Sequence, residues 1–496
     1  MKRLACLAVA GAALSAQAVF ERATPESQGI PSAAIERFVN ACERELDGMH
    51  GFVLLRHGKR VAEGWWHPFD VHLTQHVFSH SKSFTSTAVG LVCDEGKLDL
   101  DERIIEIFPE KAPADPCDAA KAVRVRDLLT MNAGQNTEAI FVEPDGDWVK
   151  AFLHNRFDRK PGTGFRYDSC ASHVLAAVVE RKTGKKLMDY LEEKLFRKIG
   201  IFGAWSNVGP DGVACGGWGM NFKTHDLARL GQLYLQHGVC EGEQVLSRDW
   251  VRLATGLETR TDRPGDGDWS QGYGFQFWRC RNNCYRADGA FGQYTIVMPD
   301  QDAVLSITAG LSDMAKEQDL VWKHLLPAMG KEALPEDDAA YASLERRCAT
   351  LQMNPWKADA KGRTDQYGIR YALQGNQARF HLSDVTLERR GTGWTLVFMD
   401  QCGRQELPIG HNEWWRGSIR LERDYYEKLG SLIGEQPTAA SGGWMNENTF
   451  EARVYLTGTP VWMHVKLEYK PDGKLAFAYK LWGWGGGETN LVGTRW

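Results

Sequence analysis

Phe78-Ser79-His80-Ser81-Lys82-Ser83-Phe84 is the stretch on which the reading of this chain turns. Its core is Ser-x-x-Lys, and it leads straight into a helical pattern. Residues three apart lie on one face of a helix, so Ser79 and Lys82 meet without any tertiary contact. A serine hydroxyl holds its proton tightly at neutral pH. A desolvated lysine one turn away drops its own pKa and can take that proton. An isolated Ser-x-x-Lys is more often a surface helix start with Ser79 as its cap, so the neighbouring residues must decide. Phe84, Ala88, Leu91 and Val92 recur at i, i+4, i+7 and i+8, an apolar helical stripe. Thr85, Ser86, Thr87 and Gly90 keep the other faces small, as a helix buried on several sides requires. Gly96 predicts the stop. Ser79 is therefore expected at the N-terminus of a core helix, where free N–H groups and the helix dipole favour developing negative charge.

Outward from this stretch the pattern is mixed. Residues 52–56 and 61–62, around His57-Gly58, predict a hairpin. Leu128-Leu129, Ala176 to Val179 and Leu227 to Leu235 predict helices. Residues 294–298 and 303–307 predict strands joined by Pro299-Asp300-Gln301-Asp302. Helices with antiparallel hairpins make an α+β layer fold. A connecting helix is expected over roughly 339–351. After Pro355 the character changes: Met463, Val465, Leu467 and Tyr469 alternate with His464, Lys466 and Glu468. Pro471-Asp472-Gly473 then turns into a second alternating run, Leu475, Phe477, Tyr479, Leu481. The tail reads as an antiparallel all-β barrel or sandwich. Trp356, Trp394, Trp414, Trp415, Trp444, Trp462, Trp482, Trp484 and Trp496 are expected mainly as its core. The expected division is 1–18 leader, 19–330 α+β domain, 331–355 linker with helix, and 356–496 Trp-rich β-domain.

The leader is read from Lys2 and Arg3, an apolar run from Leu4 to Leu14, and Ala16-Gln17-Ala18 as a small-residue cleavage site. Its removal before Val19 takes the formal charge from −5 to −7 and predicts a secreted or periplasmic protein. No later run is long enough to span a bilayer, so no transmembrane anchor is expected. Without Cys6, ten cysteines remain of eleven. Of these, Cys280 and Cys284 flank Arg281-Asn282-Asn283 and predict a cross-strand bridge at a tight turn. No Cys/His cluster has metal-ligand spacing, so neither a metal nor a cofactor is expected. The acidic balance without a basic patch argues against nucleic acid as a partner.

A Ser–Lys pair needs a second proton carrier and donors for an oxyanion. Tyr167-Asp168-Ser169 follows Pro161-Gly162-Thr163-Gly164-Phe165, a turn-rich approach to a helix. A tyrosine there can face a cleft, and Lys82 nearby would lower its pKa. Taken alone, Tyr167 also fits a buried structural tyrosine. Tyr285-Arg286-Ala287-Asp288-Gly289-Ala290-Phe291-Gly292-Gln293 leads into a strand whose glycines let a substrate approach the backbone. Its N–H groups can complete an oxyanion hole with that of Ser79. A plain hairpin bend explains the same glycines.

In order and spacing the three stretches resemble the serine β-lactamase and penicillin-binding-protein superfamily: Ser-x-x-Lys, then Tyr-x-Asn, then Lys/His-x-Gly on a strand. The resemblance is nearest to β-lactamase-related hydrolases around class C enzymes, family VIII esterases, D-aminopeptidases and 6-aminohexanoate-dimer hydrolase. It covers roughly Ser27 to Met329 and is supported by Val125-Arg126-Asp127-Leu128-Leu129-Thr130-Met131 and Asp226-Leu227-Ala228-Arg229-Leu230-Gly231. It implies a β-lactamase/transpeptidase-like fold with Ser79 as nucleophile and Lys82 and Tyr167 as acid and base. The oxyanion donors would be the N–H groups of Ser79 and Ala290, with Ser169, Asp288 and Gly289 also lining the substrate site. Two departures bear on the substrate. Ser169 stands where the family has Asn. The third motif reads Ala287-Asp288-Gly289, with no Lys or His first, and alternation turns Arg286 to the opposite strand face from Ala287. Both favour a small-molecule or peptide-like ester or uncommon amide. The alternatives are a D-Ala-D-Ala carboxypeptidase or β-lactamase, and a catalytically silent binding or sensor protein.

Overall fold

The apolar stripe and small polar residues after Ser79 become the central helix of a layered body. The structure is a computed structural model and describes residues 20–139, 146–375, 380–421, 434–483 and 487–496. The expected leader lies outside them. Helix α1 (Ser32–Glu45) precedes the hairpin β1 (Met49–Arg56) and β2 (Lys59–Trp65). One 3-10 turn, Phe78–His80, runs into α2 (Ser81–Asp94), which stops before Gly96 at φ 68°. Helices α3 (Ser169–Thr183) and α4 (Thr224–Leu235) follow. The strands β3 (Trp278–Arg279), β4 (Tyr285–Gly289), β5 (Gln293–Met298) and β6 (Ala303–Ala309) complete a sheet of order β2-β1-β6-β5-β4-β3 with antiparallel neighbours. Then come α5 (Met314–Leu320) and α6 (Asp338–Ala349), the latter where the connecting helix was expected.

Alternation along the strands splits the apolar residues between two cores. Val53, Val297 and Val304 face Phe84, Val174 and Leu227 of α2, α3 and α4. Leu54, Ile296 and Leu305 face Phe38, Leu320 and Leu344 of α1, α5 and α6. The sheet is thus sandwiched between helices, an α+β architecture. Three hydroxyls of α2 go to carbonyls on chain crossing the helix. Ser83 Oγ donates to Gln276 O at 2.8 Å, Thr85 Oγ1 to Gly216 O at 2.8 Å and Ser86 Oγ to Phe275 O at 2.7 Å. Such pairing lets polar residues be wholly buried without an unmade hydrogen bond.

The C-terminal strands are β7 (Arg370–Gln374), β8 (Asp384–Arg390), β9 (Gly393–Asp400), β10 (Gly403–Ile409), β11 (Trp415–Leu421), β12 (Gly434–Trp444), β13 (Thr449–Leu456), β14 (Trp462–Tyr469), β15 (Leu475–Trp482) and β16 (Glu488–Arg495). They form one antiparallel sheet, β10-β9-β8-β7-β16-β15-β14-β13-β12-β11. It curls until its two edges meet. There Gln405 of β10 donates to Arg420 O of β11 at 2.9 Å and accepts from Arg420 N at 2.6 Å. A side-chain amide thus stands in for a ladder and leaves no open edge at that point. Inward residues such as Leu396, Phe398, Val465 and Phe477 form a separate core.

The two bodies meet where Phe69 packs with Trp414, Ala439 and Tyr455. Polar ties flank this contact: Trp414 Nε1 donates to Met353 O at 2.9 Å, Arg416 pairs with Asp70 at 2.7 Å, and His76 N donates to Gly458 O at 2.8 Å.

Two expectations change. Of the tail tryptophans, Trp394, Trp414 and Trp444 are buried, but Trp414 is in the contact between bodies rather than the barrel core. Trp356, Trp415, Trp462 and Trp482 are only partly buried, Trp496 is 77% exposed, and Trp484 lies outside the described residues. Of the outward indoles, Trp482 lies against Phe291 of the other body and Trp462 packs beside Phe69. Cys280 and Cys284 are free thiols. The Cys284 thiol donates to Asn282 O at 3.2 Å, and Cys280 Sγ accepts from Arg286 at 3.0 Å, so each sulfur has another partner.

Candidate active site

Three segments deliver the site. The turn before α2 brings Ser79, α2 brings Lys82, and the approach to α3 brings Tyr167 and Ser169. Lys82 is 1% exposed, whereas Ser79, Tyr167 and Ser169 are partly open to solvent. The amine is thus enclosed beneath three partly exposed side chains.

Lys82 Nζ has three oxygen partners: Gly217 O at 2.6 Å, Ser169 Oγ at 3.1 Å and Ser79 Oγ at 3.1 Å. It also lies 4.8 Å from the centre of the Tyr167 ring. A neutral amine has two N–H donors and one lone pair. With the donors directed to Gly217 and Ser169, the lone pair is left for the Ser79 proton. Burial brings the Lys82 pKa down to about 8, against the opposing charges of Glu138, Asp168 and Asp288. Desolvation wins over three carboxylates because the amine is fully enclosed.

The phenol of Tyr167 is hydrogen-bonded to Ser79. The expectation that Lys82 lowers its pKa is not met. Burial holds the phenol well above its usual range, and Asp288 and Glu138 push the same way. Its ring is stacked on Trp278 at 5.7 Å, in an apolar corner with Met131, Phe165 and Tyr273. Tyr167 keeps its proton, and the arrangement pairs a titrating amine with a phenol poised to donate.

Ser169 opens α3 between two carboxylates. Asp168 caps the helix, Oδ1 accepting from Cys170 N at 2.8 Å and Ala171 N at 3.1 Å. Glu138 accepts from Ser169, through both backbone and side chain, and from Cys170 N. Burial raises both carboxyls, and the Glu138 charge pushes Asp168 up further. The helix N-terminus offsets part of that cost.

Gly289 ends β4 against the Ser79 turn. A Cβ there would meet Val77 O at 2.1 Å and His80 N at 3.1 Å, so only glycine allows this approach. The next peptide is fixed by Gln293, whose Nε2 donates to Ala290 O at 3.2 Å. Asp288 does not stand alone: its Oδ2 accepts from Arg286 Nε at 2.9 Å and Trp269 Nε1 at 3.0 Å. Arg286 is wholly buried on the same strand face, beneath Trp269 at 4.8 Å, and so does not fill the place of the basic residue absent at Ala287.

Sequence reasoning missed Glu138 and Gly217. Glu138 carries no motif. Gly217 is read only as one of many glycines, yet a Cβ on it would meet Ser169 O at 2.5 Å. That clearance brings its carbonyl to Lys82.

Comparison with known proteins bears on the family. The 6-aminohexanoate-dimer hydrolase of Paenarthrobacter ureafaciens is 30% identical over 283 residues, spanning 51% of this chain and 70% of that protein. Penicillin-binding protein 4 of Amycolatopsis lactamdurans is 26% identical over 332 residues, 56% of this chain and 80% of that protein. A D-aminopeptidase of Brucella anthropi is 27% identical over 184 residues, 34% of this chain and 35% of that protein. Among solved structures, a Bacillus anthracis protein provisionally named a 6-aminohexanoate-dimer hydrolase superposes with a TM-score of 0.52 at 18% identity, covering 64% of this chain and 89% of that one, which speaks to the fold alone. The Beta-lactamase family pattern matches residues 20–326, and the chain belongs to that family of serine hydrolases.

Proposed function

We propose that the protein hydrolyses an ester or amide through an acyl-enzyme on Ser79. The observation that carries this reading is the Ser79 hydroxyl held between Lys82 Nζ, at 3.1 Å, and the Tyr167 phenol. With its pKa near 8, roughly one Lys82 in ten is neutral at pH 7. Ser79 Oγ attacks the substrate carbonyl while its proton passes to Lys82. The carbonyl oxygen takes up the negative charge, facing the N–H groups of Ser79 and Ala290. Tyr167 protonates the leaving group and regains a proton from Lys82. Water then attacks the acyl-enzyme, giving its proton back through the same pair, and Ser79 is released. Positioned acid–base groups of this type contribute roughly 10²–10⁴-fold, and each oxyanion donor about 3–4 kcal/mol of barrier.

The substrate is best sought among esters and amides without a carboxylate that must be clamped. Ala287 offers no cation, and Arg286 is committed to Asp288. The relatives named as acting on a 6-aminohexanoate dimer or as aminopeptidases support an amide. Residues 1–18 support export, and no helix among the described residues is long and apolar enough to cross a membrane.

A fluorophosphonate probe, a p-nitrophenyl ester panel and a fluorescent penicillin test this reading. Fluorophosphonate labelling and ester turnover that vanish in Ser79→Ala are expected, with little penicillin labelling. Strong penicillin labelling would move the assignment to the cell-wall enzymes. Absence of labelling and turnover in the wild type would leave a binding protein.

A further inference from the structure

The two backbone N–H groups assigned to the oxyanion each adjoin a phenylalanine in an uncommon conformation. Phe78, before Ser79, has φ 47°, and Phe291, after Ala290, has φ 67°. Bulky residues rarely adopt this left-handed region, and they persist there only where packing over-determines them. Here the packing is visible. The two rings meet edge to face at 5.4 Å, tying the Ser79 turn to the β4–β5 turn. A third ring completes the stack from outside: Trp482, at the end of barrel strand β15, lies 5.5 Å from Phe291. Trp482 in turn stacks on Trp462 of β14 at 6.3 Å, and the Arg453 guanidinium of β13 lies 4.8 Å over Trp462. The C-terminal barrel therefore reaches the oxyanion turn through one aromatic column.

We propose that Trp482 is a positioning residue for the hydrolase: pressing on Phe291, it holds the Ala290 N–H in register with that of Ser79, so that turnover depends on the barrel being docked. This inference rests on the serine-hydrolase reading above. A column that sets oxyanion geometry acts on the transition state more than on ground-state binding. Its loss should appear in kcat rather than KM.

The test measures p-nitrophenyl ester kinetics on the full chain. Trp482→Ala is expected to lower kcat ten- to hundredfold with KM changed less than twofold, and Trp482→Phe to recover most of it. Phe291→Ala should match Trp482→Ala, and the double variant should be no worse than either single one, because both remove the same support. Trp496→Ala removes a barrel indole that is 77% exposed and lies in neither the column nor the contact between the bodies, and should keep kcat. Should Trp482→Ala melt below the assay temperature, Trp482→Leu keeps apolar contact with the sheet and carries the same expected split. Unchanged kcat in Trp482→Ala or Trp482→Leu, additive losses in the double variant, or an equal fall in Trp496→Ala would each overturn the proposal. A wild type inactive on every ester would overturn the hydrolase reading as well, so the two failures are told apart.

Discussion

Lys82 Nζ is 2.6 Å from the carbonyl oxygen of Gly217, half an ångström closer than it is to Ser79 Oγ. The shorter bond is the one that cannot be given up, since a buried carbonyl without a donor costs about 1–3 kcal/mol. Gly217 thereby fixes the direction of the amine. With Ser169 taking a second N–H, the lone pair of a neutral Lys82 has one place to go, the hydroxyl it would deprotonate.

The first prediction is a pH limb. The base form of Lys82 is neutral, and burial sets its pKa near 8. Ester kcat/KM should rise tenfold per pH unit below 8 and level off above it. Lys82→Arg, which cannot deprotonate, should lose at least about a thousandfold. A flat profile from pH 6 to 9 with Lys82 present would remove the lysine from the role of base.

The second prediction concerns Glu138. Its negative charge favours the ammonium form of Lys82 and so raises that pKa. Glu138→Gln removes the charge but keeps an acceptor for Ser169. The rising limb should therefore move to lower pH. A limb that stays in place would show that Glu138 acts only on the α3 terminus.

These two residues mark what the sequence could and could not disclose. Ser79 and Lys82 were legible because a helix brings i and i+3 together whatever surrounds it. Tyr167 was legible through its position in a motif, yet its pKa was not, because burial in the corner with Trp278 outweighs the lysine charge. Glu138 and Gly217 reach Lys82 through tertiary folding, from positions 56 and 135 residues farther along the chain, and no local pattern encodes that. The outward face of Trp462 and Trp482 was present in the alternation, since both share parity with His464, Lys466 and Lys480. Expecting bulk to be core overrode it.

The third prediction uses Gly289. An added methyl would sit 2.1 Å from Val77 O, a backbone atom in the Ser79 turn that cannot swing aside like a side chain. Overpacking of this type costs about 1–3 kcal/mol. Placed between the two segments proposed to hold the oxyanion, it should lower kcat/KM for esters roughly ten- to hundredfold in Gly289→Ala, with a melting loss of a few degrees. Wild-type kinetics in Gly289→Ala would mean that the strand end is not part of the site.

The fourth prediction is acid sensitivity from buried histidines. His50, His76 and His80 are wholly buried, and burial brings each pKa down to about 3. His50 is neutral while hydrogen-bonded to Gln75 at 2.7 Å and stacked on Phe69 at 3.6 Å. Below pH 6.5 the unfolded chain binds a proton at each of these positions and the folded chain does not. Stability is then lost as pH falls from about 6.5 towards 3, by about 1.4 kcal/mol per pH unit for each histidine. Carboxyls act the other way: Asp226 is raised to about 6, and Asp168 and Glu317 are raised by burial too, so each gains a proton in the folded state first. The absolute slope is a balance, but the difference between variants isolates one group. In His50→Gln, urea unfolding between pH 6.5 and 4.5 should show a slope of stability against pH shallower than wild type by about 1.4 kcal/mol per unit, whatever the offset from lost packing. Equal slopes would mean that His50 takes up its proton in the folded state, against the burial that encloses it.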